Sequence, residues 1–130
     1  MKIFMSAFLV LFAYSTFASV PTTFTEQAFS VASQNSAPVV VGFHSDSCGS
    51  CKIQKPNLDA ILQEAEFSGV TGLKANFEET SSFRKSLKQP VRGPSAIVIF
   101  KNGNEVARIN GVTQKDKIRK LLKEAISKNN

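Results

Sequence analysis

The two cysteines of this chain, Cys48 and Cys51, stand three residues apart in D-S-C-G-S-C-K, between a β-branched run and an apolar stripe of helical period. No other feature constrains the fold as much. Two cysteines placed at random in 130 residues fall at this spacing in only about one or two per cent of arrangements, so the pair is read as a unit. Residues 37–43, A-P-V-V-V-G-F, form the run upstream, the pattern of a strand buried on both faces. Downstream, Ile53, Leu58, Ile61, Leu62 and Ala65 recur at helical spacing, and Pro56 within them predicts a kink. The pair therefore lies where a buried central strand passes into a helix.

That junction has chemical consequences. Unpaired N–H groups and the helix dipole at a helix N-terminus favour a thiolate, which makes Cys48 the candidate nucleophile. Residues i and i+3 share a helix face, so Cys51 can bridge to Cys48 and expel a bound partner sulfur, and Gly49 and Ser50 are small enough to let the two approach. Two other readings use the same residues. A structural disulfide is one, although so short a loop constrains the unfolded chain little. A metal site is the other: zinc usually takes four ligands and the chain offers two Cys and one His, His44, which as a third ligand would suit a soft metal. The simpler place for His44 is the polar rim of the cysteine pair, and no resident metal is assigned.

The remaining elements follow from patterning. After Pro21, T-F-T-E-Q-A-F-S-V-A begins with hydroxyls able to cap a helix and predicts Phe24, Ala28, Val31 and Ala32 on one face, with room for a short strand before it. Residues 70–77 read as a second strand, and Thr80 as the cap of a helix that carries Phe83 and Leu87 and ends at Gln89-Pro90. Residues 96–100 and 105–109 are two strands around Asn102-Gly103, the strongest short hairpin signal. Thr113 with Asp116 is a capping signature, after which Ile118, Leu121, Leu122, Ala125 and Ile126 keep helical spacing. The expected class is α/β: a three-layer sandwich with a central mixed β-sheet and helices on both faces.

Composition, 42% hydrophobic and 20% charged, suits one domain. The net charge of +6 is scattered and most of the eleven Phe fall in core-like contexts, so no nucleic-acid partner is expected. Lys2 followed by the nearly apolar residues 3–17 and the small-residue site T-F-A/S reads as a signal peptide over 1–18, with the domain over 19–130. The run is shorter than the ~20 apolar residues of a spanning helix, so the expectation is export without stable membrane insertion after cleavage, to a bacterial periplasm or otherwise as a secreted protein. There a disulfide persists.

With strand, C-x-x-C, Pro-containing helix and late hairpin in this order, the mature region resembles the thioredoxin family. P-V-V-V-G-F-H-S-D-S-C-G-S-C-K-I-Q-K-P is similar to that family's active-site strand and helix, and V-R-G-P-S-A-I-V-I-F-K-N-G to its cis-proline segment and following hairpin. The resemblance implies a protein-disulfide oxidoreductase with no cofactor beyond the Cys48–Cys51 redox pair, in which Cys48 attacks and Cys51 resolves. It also implies a partner-binding loop at Gly93, Pro94 and Ser95, to which His44, Gly49 and Ser50 add the rim, with Lys52 and Lys74 as electrostatic tuning groups. Its partners would be protein thiols and disulfides and a redox partner protein, met as a monomer. The alternative is a non-catalytic binding or metal-handling module on the same fold.

Four departures qualify the resemblance. Ser47 replaces the family's Trp before the first cysteine and His44 an aromatic residue, so the surface is more polar. Ser50 replaces a proline between the cysteines, which alters the redox potential. Gly42 falls where the family buries the acid that moves the resolving cysteine's proton, so release of a mixed disulfide is expected to be slow near neutral pH. Ungapped alignment from F-K-N-G puts Ser95, rather than Pro94, at the cis-proline position, where a non-proline favours a trans bond.

Overall fold

The computed structural model describes residues 20–128, so the expected signal peptide, 1–18, lies outside the described residues. Five strands form one mixed sheet: β1 (Thr22–Thr23), β2 (Val39–His44), β3 (Thr71–Asn76), β4 (Ala96–Lys101) and β5 (Asn104–Asn110), in the spatial order β1-β3-β2-β4-β5. β1, β3 and β2 run parallel, while β4 and β5 continue the sheet antiparallel from β2. Four helices cover it: α1 (Glu26–Ser33), α2 (Gly49–Leu62), α3 (Ser81–Ser86) and α4 (Lys115–Ser127). The expected α/β three-layer sandwich is the fold observed.

Side-chain alternation along the strands builds two cores, one on each face of the sheet. Val39, Val41, Phe43, Ala96, Val98 and Phe100 point to the face covered by α1 and α3, whereas Val40, Ile97, Ile99 and Ile109 meet Leu58, Ile61, Ile118 and Leu122 of α2 and α4. β2 and β4 are buried on both sides, which is why their sequences are continuous apolar runs instead of alternating ones. The phenylalanines gather on the first face, with Phe83 4.7 Å from Phe24 and 4.9 Å from Phe29 between ring centres, and Phe29 4.8 Å from Phe100. Buried rings of this size each remove a large apolar area from water, and their tilted and edge-on contacts add to that burial.

Several local expectations need correction. In α1 the inward residues are Ala28, Phe29 and Ala32, and Val31 is turned off that face and 56% exposed. Thr25 does cap α1, its hydroxyl accepting from Ala28 N–H at 2.9 Å. Thr80 caps nothing: its hydroxyl donates back to the Asn76 carbonyl at 2.7 Å, and the Asn76 side chain takes the Glu79 N–H instead. α3 stops at Ser86, with Leu87 already extended, before the Gln89-Pro90 step is reached. Thr113 likewise caps no helix, since α4 begins after Gln114 and the Thr113 carbonyl accepts from Asn57 Nδ2 at 2.8 Å. The Thr80 hydroxyl thus turns back into a local bond instead of capping forward, while Asn57 holds the segment before α4 from across the fold. The hairpin is as expected, Asn102 at φ 51° and Gly103 at φ 77° supplying the left-handed pair that a tight turn needs.

Candidate active site at the head of the second helix

β2 ends at His44, and residues 45–48 carry the chain into α2, which continues through Pro56 at the loss of one ladder hydrogen bond. Cys48 is the N-cap residue: its backbone is extended, its N–H donates to the Ser45 carbonyl at 3.1 Å, and its Sγ accepts from Cys51 N–H at 3.2 Å. One of the free donors of the helix's first turn, the Cys51 N–H, is therefore aimed at the Cys48 sulfur, an arrangement that favours negative charge there. Cys51 sits one turn on, 3% exposed, and the two are joined as a disulfide with Cα atoms 5.3 Å apart. Cys48 is half-buried, so one sulfur of the pair is accessible and the other is not.

The loop before Cys48 is tied down by Ser45, itself buried, whose hydroxyl donates to Glu78 Oε1 and lies 3.1 Å from Ser47 Oγ. That hydroxyl, with the residue's own backbone N–H, holds the Glu78 carboxyl below its ordinary range. His44 is held below its usual value by burial and by the charge of Lys55, against the opposing pull of Asp46.

Ser95 comes in from the start of β4 and lies directly against the sulfurs. Its Oγ is 3.3 Å from Cys48 Sγ and 3.4 Å from Cys51 Sγ, and it is hydrogen-bonded to Ser50 Oγ, which is itself 3.3 Å from Cys48 Sγ. Its backbone is left-handed, at φ 64°, and no described peptide bond is cis. Ser95, 2% exposed, is the residue facing the pair, while Pro94 before it is exposed and Gly93 half-buried. Two backbone bonds and one from a side chain hold it there: Ser95 N–H donates to the Phe43 carbonyl, and the Ser95 carbonyl accepts from Gly111 N–H at 3.0 Å and from Gln54 Nε2 at 2.9 Å. An uncomfortable φ persists only where surrounding contacts over-determine it, as they do here.

Gln54 escaped the sequence reading. Buried on α2, it donates to both the Ser95 and the Val112 carbonyls, each at 2.9 Å, and so clamps the β4 and β5 ends against the cysteine helix. The signal was available: Gln54 is a polar residue in register with Cys51, Leu58 and Ile61 on an otherwise apolar face. Of the two expected tuning cations, Lys52 is exposed, and Lys74 pairs with Asp59 of α2 at 3.4 Å. Behind Cys51, a Cβ on Gly42 would lie 2.9 Å from Leu58 Cδ2, so Leu58 occupies the space that a side chain at that position would need. Among the described residues no group of three or more His, Cys, Asp or Glu side chains is placed to hold a metal ion.

A family model for thioredoxin matches residues 20–124. Thioredoxin from Chlamydia trachomatis is 36% identical over 84 residues, spanning 65% of this chain and 78% of that protein, and thioredoxin from Porphyra purpurea is 30% identical over 93 residues, spanning 72% and 84%. Among solved structures, Trxlp from Edwardsiella tarda EIB202 superposes with a TM-score of 0.72 at 26% identity, over 78% of this chain and 96% of that one. Thioredoxin from Malassezia sympodialis superposes with a TM-score of 0.73 at 22% identity, over 85% and 94%, which bears on the fold alone.

Proposed function

This chain belongs to the thioredoxin family and is a protein-disulfide oxidoreductase, and from that premise we propose that Cys48 is its attacking thiol and Cys51 its resolving thiol, acting on disulfides of other exported proteins. The observation that carries the assignment is the Cys51 N–H directed at the half-buried Cys48 Sγ at the head of α2, with Cys51 itself buried. A partner sulfur can reach Cys48 but not Cys51. In this reading Gly93, Pro94 and the rim residues His44, Gly49 and Ser50 form the partner-contact surface, to which the exposed Ile53 adds an apolar contact.

The cycle is thiolate attack by Cys48 on the partner disulfide, then attack by Cys51 on the Cys48 sulfur to release the partner thiol and close Cys48–Cys51. A separate redox protein restores the dithiol or the disulfide. The enzyme works as a monomer in a periplasm or outside the cell, a location supported by the Lys2-led apolar run and its small-residue end.

The test uses two variants of the mature protein against a protein disulfide. Cys48→Ser is expected to abolish exchange, and Cys51→Ser to attack once and remain trapped as a mixed disulfide through Cys48, read by non-reducing electrophoresis and intact mass. Equal trapping through either cysteine would overturn the roles.

A further inference from the structure

Resolution requires Cys51 to lose a proton while buried at 3% exposure, where water has little access and burial disfavours the charged form. The wall behind it is Gly42 with Leu58 Cδ2 filling the space, which offers no acid or base. The charged groups around that side are His44 of β2, Lys55 and Asp59 of α2, and Lys74 of β3, the last two paired with each other. Among the described residues, the one side-chain group hydrogen-bonded to Cys51 Sγ is the Ser95 hydroxyl, and that hydroxyl continues to Ser50 Oγ, which is half-buried and so reaches towards solvent.

We propose that Ser95 and Ser50 form a hydroxyl relay that carries the proton of Cys51 out of the site during resolution. This rests on the assignment of Cys48 as attacker and Cys51 as resolver. In the step itself, Cys51 Sγ bonds to Cys48 Sγ and the bond between Cys48 Sγ and the partner sulfur breaks. The electron pair of that bond leaves with the partner sulfur. The Cys51 proton moves to Ser95 Oγ as Ser95 gives its own proton to Ser50 Oγ, and Ser50 passes one to the departing sulfur or to water. Each hydroxyl accepts one proton and donates one, so the relay ends as it began and no further oxidant or reductant is needed. A hydroxyl can do this because it is donor and acceptor at once. The same contact to Cys48 Sγ at 3.3 Å puts Ser95 beside both sulfurs, where it touches the reacting atoms and is a catalytic residue in the strict sense.

Ser95→Gly is the informative variant, because a left-handed φ of 64° suits glycine and the change deletes the hydroxyl without opposing the backbone. Single-turnover release of a trapped model peptide from Cys48 is followed between pH 6 and 9.5, with far-UV circular dichroism confirming the fold. Ser95→Gly is expected to release about 100-fold more slowly than the parent at pH 6.5, the size of a lost acid–base contribution, and to approach it only as pH rises above the ordinary thiol value near 8.5, because burial opposes ionisation of Cys51. Ser50→Ala should show a smaller loss with the same pH signature, and Ser50→Thr, which keeps the hydroxyl, should recover part of that loss at pH 6.5. Release by Ser95→Gly at the parental rate at pH 6.5, or a loss equal at every pH, overturns the relay and leaves the cysteine roles standing. A parent that forms no mixed disulfide through Cys48 overturns those roles and the relay with them.

Discussion

Single residues around the cysteine pair are held by partners far away in sequence, and their titration follows from that. His44 is kept below its usual value chiefly by burial and then by Lys55, so between the folded and unfolded values the unfolded chain binds the extra proton and the folded one does not. Stability therefore rises with pH through that window: it is complete above the ordinary histidine value near 6.5 and falls as pH drops below it. Urea midpoints at pH 7.5 and pH 5.5 should show the parent losing stability on acidification and His44→Asn losing less. An identical acid loss in both proteins would show that His44 titrates freely. Gln54 and Ser95 illustrate the same dependence without titration, since the Ser95 carbonyl is held by the Gln54 side chain 41 residues away and the Ser95 hydroxyl meets sulfurs 44 and 47 residues away.

At the scale of elements, the β4–β5 hairpin shows local chemistry and tertiary need agreeing. Asn102 and Gly103 occupy left-handed backbone, and the turn, together with a one-residue register shift between Ile99 and Phe100, sets the pairing that brings Gly111 N–H to the Ser95 carbonyl. Gly103→Ala should cost about 1 to 2 kcal/mol, the penalty of a left-handed non-glycine residue, measured as a lowered urea midpoint with an unchanged slope. No loss would mean that the turn relaxes to another type. α3 shows the opposite case. Six residues long, it has no side-chain cap of its own and is held by Phe83 in the ring cluster and by Arg84, which donates to the Phe77 and Val91 carbonyls and lies over the Phe77 ring. Such a short helix is marginal without tertiary packing.

For the whole molecule, both cores share the strands β2 and β4, so neither face can open without exposing the other side of the same strands. The protein beginning at Ser19 should therefore unfold in one cooperative transition. Far-UV circular dichroism is the probe, because the sequence has no Trp and its single Tyr, Tyr14, lies in the expected signal peptide. Intact mass from the native host should give that same Ser19 start, and a chain retaining Met1 in a membrane fraction would contradict export. What the sequence determined by itself is whatever depends on short-range periodicity and special residues: the strand–helix junction at Cys48 and Cys51, the order of the elements, the Asn102-Gly103 turn and the two-faced burial of β2. Hydrophobic period and turn chemistry act over a few residues, so they are legible without coordinates. Thr80, read as a cap, turns its hydroxyl back to the Asn76 carbonyl four residues earlier, a local alternative that capping competes with, whereas Thr113 lies one residue ahead of the α4 cap position with its carbonyl held by Asn57 from across the fold. The filling of the space beside Gly42 by Leu58, the clamp by Gln54 and the placement of Ser95 against both sulfurs were likewise decided only in the tertiary structure. They join residues 16 to 58 positions apart, and a linear pattern carries no information about which polar atoms meet when distant segments pack to satisfy one another.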